Sequence, residues 1–466
     1  MLKYININCK KNTLFYNVEN NKINKIKMIV KPLPISGYYE NMPEEQILEE
    51  KFKEIIKKNY SLSWFTPLDT PVVERVDSLT AKWADDNEIY GIYRLNGEES
   101  SEAKLGLRFD LTVPFARYVA QYEWVLSFPF KRQHIARVYR GERPQKGRYR
   151  EFYQADVDVV WNGKLPLFAD VEVLSTIYNS LLELDFWAFE ININNKKFLS
   201  GFLSSLEISD IVWTIWVIDK KDKVRRDKFA IMLAEIWVSE EQKDKIVEFI
   251  TLSNEKNSSE ILEYFSENKN ELLQEWLSEL KYVYNNLLAL WVQQDYIKIN
   301  PTISRGLNYY TGTVYETFIK GAEKMWSVSS GWRYENLASN FTKNSFPGVG
   351  GSIGLSRILA VLRELKLVET KEKTVSKVLV LNMWEDTQVE NLNTVKILRE
   401  NNINTEYYLE NAKVQKQMKY AYNKWIKFVL IAGENEVSQD IVQLKNTITE
   451  EQNNISLEEA LKIIQK

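Results

Sequence analysis

The sequence predicts an α+β protein: helices packed on an antiparallel sheet, a mainly helical insertion within that domain, and a small C-terminal α/β domain. Three observations carry this. Alternating or β-rich segments follow one another at 88–94, 104–110, 130–140 and 149–160, as in strands that pair antiparallel. Between 220 and 292 the apolar spacing is helical, with charged breaks. Beyond a polar stretch at 366–377, short β-like runs at 378–382, 405–408 and 428–431 alternate with helical stretches near 387–400 and 412–424, which argues a largely parallel sheet.

A chain of 466 residues divides into two to four domains, because single cores rarely grow beyond about 250–300 residues. Residues 1–30 are rich in Asn, Lys and Ile, verge on low complexity and lack the apolar block and cleavage site of a secretory signal. Over 44–58, Ile47, Leu48, Phe52, Ile55 and Ile56 share one helical face behind Pro43. Residues 65–74 read as extended, since Pro67 and Pro71 bias their predecessors away from helix. A helix is expected over 165–183, strands over 297–304 and 313–320, and a helix over 355–365 after the glycine-rich run Gly348-Val-Gly-Gly-Ser-Ile-Gly354. The expected division is an extension at 1–30, a sheet domain at 31–190 and 295–366, a helical insertion at 191–294, and an α/β domain at 375–466.

Hydrophobic residues are 44 % and charged residues 27 %, both ordinary for a globular protein. No apolar run approaches the ~18 residues of a membrane span, so a cytoplasmic protein without a membrane segment is expected. Cys9 and His134 are the only residues of their types, which argues against disulfides, thiolate zinc sites and any catalytic triad that lacks an alternative base. Net charge is −3, but residues 131–150 hold eight basic side chains against one acidic, a local +7.

In that basic region two strand-like halves flank a loop with Pro144 and Gly147. Guanidinium forks suit phosphate, and strand alternation would put Arg140 and Glu142 on one face. Gln154, Asp156 and Asp158 share a face of the returning strand, where they could accept from an ammonium or a ring N–H. A solvated basic hairpin with surface ion pairs is the other reading. The run 348–354 has Ile353 where a dinucleotide fingerprint needs its third glycine, and no P-loop pattern occurs. It either lets backbone approach a nucleotide, with Arg357 meeting a phosphate, or makes a tight strand–helix turn.

The segment Arg140-Gly-Glu-Arg-Pro-Gln-Lys-Gly-Arg-Tyr-Arg-Glu-Phe152 resembles motif 2 of class II aminoacyl-tRNA synthetases, in the form found in histidyl-tRNA synthetases. Leu107-Arg-Phe-Asp-Leu-Thr-Val-Pro-Phe-Ala-Arg117 and Ser304-Arg-Gly-Leu-Asn-Tyr-Tyr-Thr-Gly312 are similar to segments of the same family in order and spacing. Gly348 to Arg357 resembles class II motif 3, and Pro71 the proline of motif 1, which in the family lies at the dimer interface. The resemblance runs from about Lys31 to the C-terminus.

It implies a class II catalytic domain, an anticodon-binding C-terminal domain, and ligation of L-histidine to tRNA(His) with ATP and Mg2+, by a homodimer. Arg140 would hold the α-phosphate and Arg357 the γ-phosphate, with Arg305 opposite Arg140 across the reacting phosphorus; Glu142, Arg148 and Phe152 complete the ATP site. Asp110, Thr112 and Gln154 would bind the α-ammonium, Asp158 and Tyr310 the imidazole, with Tyr309 and Tyr334 lining the pocket. The resemblance assigns no protein metal ligand. The amino-acid carboxylate attacks phosphorus directly, so catalysis reduces to alignment and charge stabilisation, and one histidine suffices. Polar partners left empty by a wrong amino acid penalise it heavily, so no editing domain is expected.

Several of these residues have plainer readings. Tyr309 and Tyr310 could be core packing, Lys413, Lys416 and Lys419 a solvated helix face, and His134 a structural residue beside the basic strand. Asn308 stands where the family more often has Asp. Two rivals remain: a non-catalytic relative, such as the regulatory subunit of ATP phosphoribosyltransferase, against which Arg140, Arg305, Arg357 and the C-terminal domain argue; and a class II synthetase for another amino acid, against which Asp158 and the 305–310 segment argue.

The chain has 14 tryptophans and 17 glycines, where a typical ~7 % glycine content would give about 33 glycines. Trp237 and Trp425 lie just past apparent helices, where a left-handed residue is wanted. The resemblance also puts glycine at Trp161, Trp326 and Trp332, the last in Ser329-Ser-Gly-Trp-Arg-Tyr334 beside the substrate pocket. One reading explains all of these: UGA encodes glycine in the source organism and is rendered as tryptophan in this sequence. It predicts several tryptophans with positive φ or crowded contacts. An unusually Trp-rich enzyme, or one inactivated by substitution, is the alternative.

Overall fold

The computed structural model describes the backbone at 4–9, 12–19, 22–25 and 310, and residues 32–80, 88–94, 104–185, 187–218, 228, 231–232, 235, 239–303, 311–325, 327–336, 338–367, 373–383 and 387–465, the side chains of 254 and 324 excepted. The N-terminal stretch is not featureless: β1 (Tyr4–Cys9), β2 (Asn12–Glu19) and β3 (Lys22–Lys25) make an antiparallel meander. Helix α1 (Pro43–Leu62) starts on Pro43, which has no N–H to leave unpaired, with Glu44 and Glu45 at the positive end of the helix dipole. Its apolar face buries Phe52, Ile56 and Tyr60.

The next elements are β4 (Thr66–Pro67), β5 (Val73–Arg75), α2 (Val76–Thr80), β6 (Gly91–Ile92), β7 (Leu105–Leu107) and α3 (Thr112–Tyr122). The β-rich runs expected at 88–94 and 104–110 do not join the main sheet. They shrink to β6 and β7, which form a separate three-stranded sheet with β5.

The main sheet has eight strands. In spatial order they are β11 (Ile297–Ile299), β10 (Phe189–Asn195), β12 (Tyr310–Ile319), β13 (Ser329–Tyr334), β14 (Gly348–Gly354), β9 (Glu151–Val160), β8 (Phe130–Tyr139) and β4. The six from β10 to β8 pair antiparallel, and the short edge strands β11 and β4 pair parallel. Strand alternation sends Ala155, Val157, Val159, Val349 and Ile353 into a core with α1 and α4 (Phe168–Leu184). The other face of β8 and β9 carries Arg132, His134, Gln154, Asp156 and Asp158. A slip of one residue would exchange the two sets, so the buried apolar face fixes the register of the polar one.

Two expectations need correction. Strand β8 stops at Tyr139 and β9 begins at Glu151, so Arg140 and Glu142 lie on a loop and alternation does not orient them. The run 348–354 is not a tight turn but a strand near the middle of the sheet. Helix α10 (Leu355–Glu364) follows it directly.

The insertion comprises α5 (Lys196–Ser205), α6 (Ile211–Ile218), α7 (Glu240–Glu255), α8 (Ser258–Tyr264) and α9 (Glu271–Ala289). Phe202 stacks on Phe249 at 4.2 Å and Phe198 meets Phe265 edge-on at 4.8 Å. These rings belong to the same buried cluster as the sheet and α4, so the insertion shares the sheet domain's core.

The C-terminal sheet runs β16 (Thr405–Tyr407), β15 (Val378–Val380), β17 (Phe428–Ile431), β18 (Val442–Asn446), β19 (Gln452–Ile455). It is flanked by α11 (Gln388–Glu400), α12 (Val414–Lys424), α13 (Glu434–Ser438) and α14 (Leu457–Gln465). The first three strands are parallel as expected; β18 and β19 add an antiparallel hairpin that the sequence reading left unassigned. Among the described residues no helix is long and apolar enough to cross a membrane.

Nine described non-glycine residues have positive φ, and three are tryptophans: Trp64 (66°), Trp291 (62°) and Trp425 (59°). Each follows a helix whose last turn closes with the paired bonds of a Schellman motif. Trp64 N–H donates to Ser61 O and Phe65 N–H to Tyr60 O; Trp291 to Leu288 and Val292 to Leu287; Trp425 to Tyr422 and Ile426 to Ala421. Trp237 and Trp326 lie outside the described residues.

Candidate active site

Register places Arg132 of β8 opposite Asp158 of β9, and Gly350 of β14 on the other side of Asp158. Arg132 is fully buried, a costly position for a charge unless it is paired. Its Nη2 lies 2.7 Å from Asp158 Oδ2, 3.6 Å from Asp156 Oδ2 and 3.3 Å from Leu111 O, and its guanidinium sits 4.5 Å from the centre of the Phe115 ring. Tyr334 Oη donates to Asp158 Oδ1 at 3.2 Å. Burial pushes the Asp158 carboxyl up to about 7, with Arg132 opposing the shift and Asp156 adding to it. Asp156 is also raised, by burial.

The glycines of β14 make room for this cluster. A Cβ at Gly350 would collide with Asp158 Oδ1, and one at Gly348 with the Tyr334 ring. His134, one pair along, sets Nε2 2.8 Å from Asp69 Oδ1; burial, helped by the Arg132 and Arg108 cations, holds its pKa down at about 4. With that pKa its imidazole is neutral at pH 7.

Beside this cluster, a cleft of about 340 Å³ is lined by Asp110, Arg140, Glu142, Arg148, Phe152, Gln154 and Arg357, with Ser329, Trp332 and Ser352 among its other walls. Arg140 donates from Nε to Phe109 O at 3.0 Å and lies 5.2 Å from the Phe152 ring centre. Glu142 and Arg148 pair at 3.0 Å. Arg357, in the first turn of α10, donates to Gly147 O at 3.3 Å and to Ser327 O at 2.6 Å, tying that helix to the loop. Gln154 Nε2 donates to Ser352 Oγ at 3.2 Å, while its buried Oε1 has no partner among the described residues. Asp110 accepts from Val113 N–H at 3.0 Å, and burial raises its carboxyl to about 6. Three guanidinium groups thus face a polyanion-sized space, with an acceptor-rich wall behind them.

Seven of the expected site residues therefore meet in one cleft, and Asp158 with Tyr334 lies further along the same face of β9. Thr112 starts α3, two residues beyond the cleft-lining Asp110. Arg305 and Tyr309 lie outside the described residues; the Tyr310 backbone pairs with Tyr334. Trp332 projects from the site face of β13 opposite Gly350, so the indole stands in the cleft as expected. Arg132 was missed. Two carboxylates on the buried face of a strand required a cation at their register partner, and that was the available signal.

A family model described as histidyl-tRNA synthetase matches residues 37–358, and an anticodon-binding-domain model matches 377–466. A histidine–tRNA ligase from Clostridium tetani is 43 % identical over 441 residues, covering 94 % of this chain and 99 % of its own. The corresponding protein of Finegoldia magna is 38 % identical, with 94 % and 100 % covered. Among solved structures, a histidyl-tRNA synthetase from Nostoc sp. PCC 7120 superposes with a TM-score of 0.86 at 33 % identity, covering 94 % of this chain and 99 % of that one. An ATP phosphoribosyltransferase regulatory subunit/histidyl-tRNA synthetase from Bacillus halodurans shares the fold, with a TM-score of 0.68 at 18 % identity. The arginine-lined cleft and the full-length match to ligases favour catalysis over a regulatory role, and the chain belongs to the histidyl-tRNA synthetase family as a histidine–tRNA ligase.

Proposed function

We propose that the cleft performs adenylation with the following division of labour. Arg140 holds the α-phosphate, Arg357 the γ-phosphate, and Glu142, Arg148 and Phe152 the rest of ATP. Gln154 and Asp110 take the α-ammonium, for which the unpaired Gln154 Oε1 is a ready acceptor. Asp158, with Tyr334, takes the imidazole. A carboxylate oxygen of histidine forms a bond to the α-phosphorus while the bond to pyrophosphate breaks, and no proton moves. Catalysis then consists of alignment and of guanidinium charge placed where negative charge develops. Arg305 would complete this from the opposite side. The convergence of seven residues from three separated segments (110, 140–154 and 357) on one cleft is the observation that carries this assignment.

ATP brings Mg2+ with it. A magnesium ion is commonly held by substrate phosphates and one or two carboxylates, and Glu142 on the phosphate-binding loop fits that role. Lys413, Lys416 and Lys419 are exposed at α12 and suit the tRNA backbone. Pro71 and Val73 are exposed beside β5, consistent with a homodimer contact there, and the enzyme works in the cytoplasm. The domain boundaries proposed are those given from the sequence, except that residues 191–195, part of strand β10, stay with the sheet domain.

The tryptophans at helix ends stand for glycine encoded by UGA. A left-handed L-residue costs about 1–2 kcal/mol, and tryptophan, 14 of 466 residues, takes a third of the described non-glycine positive-φ positions. Trp332 in the cleft fits the same reading. The intact mass of the native protein tests it, since a mass matching tryptophan at all 14 positions, or UGG codons there, would end it. Pyrophosphate exchange driven by each amino acid tests the site; exchange with another amino acid but not histidine would sink it.

A further inference from the structure

Residues 34–41 cross behind the ATP-binding loop and touch both elements that carry its arginines. Gly37 has φ +89°, and a Cβ there would meet Pro144 Cγ at 2.7 Å and Arg150 Cγ at 2.9 Å, so glycine is required for conformation and for space. Its carbonyl accepts from Arg150 N–H at 2.8 Å. Arg150 relays this contact: its own carbonyl accepts from Arg140 N–H at 2.8 Å, and its guanidinium donates to Ser36 O at 3.3 Å and Glu142 O at 3.2 Å. At the other end, Arg363 of α10 pairs with Glu45 at 2.6 Å, donates to Asn41 Oδ1 at 2.9 Å and lies over the Tyr39 ring at 4.3 Å. Tyr39 in turn meets Tyr149 of the loop, ring centres 5.8 Å apart. A cavity of about 480 Å³ lies between this segment, α1 and β9, bridged to α1 by Asn41, which donates to Gln46 Oε1 and Glu49 Oε2 at 3.0 Å, and by Tyr39 Oη, which donates to Glu45 Oε2 at 3.1 Å; polar contacts, rather than a packed core, hold the segment.

We propose that residues 34–41 are a strap that sets the position of loop 140–150, with Gly37 and Arg363 as positioning residues for ATP. This rests on the reading of that loop as the ATP contact. The strap touches Arg140 and Glu142 only through Arg150, and it touches nothing in the Asp158 cluster. Its loss shifts the ATP side of the site and spares the histidine side.

The test is pyrophosphate exchange with KM measured separately for ATP and histidine, and thermal unfolding in parallel. Gly37→Val should raise KM for ATP about tenfold or more and leave KM for histidine within about twofold, since small misplacements of a binding group are costly. Gly37→Ala should act the same way more weakly, with partial recovery in Gly37→Ala/Pro144→Ala. Arg363→Lys, which keeps the charge but loses the fork, should raise KM for ATP about threefold. If Gly37→Val does not fold, Gly37→Ala and Arg363→Lys decide by the same criterion. Equal rises in both KM values, or an unchanged KM for ATP in folded variants while Arg148→Gln raises it, would overturn the strap. If Arg148→Gln also leaves KM for ATP unchanged, the ATP reading of the loop falls and the strap with it.

Discussion

Asp158 is held between opposing forces. Burial and Asp156 favour the neutral acid, while Arg132 at 2.7 Å and the Tyr334 hydroxyl favour the anion. With its pKa raised to about 7, the carboxylate needed to accept an imidazole N–H is present above that pH and lost below it. KM for histidine should therefore rise as pH falls through 7, and Asp158→Asn should raise it about tenfold and flatten that limb. His134 cannot produce the same limb, because its pKa is near 4. At Trp332 the expectation is reversed: if the position belongs to glycine, Trp332→Gly in protein made with tryptophan there should increase exchange activity. A loss of activity would mean the indole belongs in the site.

Strand β14 shows how an element separates function from stability. Gly350 faces the site, where a Cβ would strike Asp158; Gly351 faces the core, where it would strike the Tyr315 hydroxyl. Gly350→Ala should mainly weaken histidine binding, and Gly351→Ala should mainly cost stability, by about 1–3 kcal/mol, as overpacked cores do. Denaturant titration alongside histidine KM distinguishes the two. At helix ends, Trp64→Gly, Trp291→Gly and Trp425→Gly should each stabilise by about 1 kcal/mol, by relieving a left-handed L-residue. The strands β8 and β9 were legible from alternation. The hairpin strands β18 and β19 of the C-terminal sheet were not, because four or five residues in a hairpin carry too short a pattern to announce a strand.

Across the whole molecule the buried clusters divide unevenly. The insertion's phenylalanines join the core of the sheet domain, whereas the C-terminal sheet encloses clusters of its own. A fragment of residues 373–466 should unfold cooperatively by itself, while deletion of 196–292 should leave the sheet domain unable to fold; urea titrations of both fragments check this. The sequence by itself determined the fold class, the motif arginines and the acceptors on β9, because hydrophobic period and local residue chemistry are written in contiguous segments. Only the tertiary structure decided that Arg132 pairs with Asp158, that Gly348 and Gly350 clear space for Tyr334 and Asp158, and that residues 34–41 contact loop 140–150. Each of these depends on strand register or on a contact between residues more than a hundred positions apart or on different strands, and no local pattern encodes such a distance.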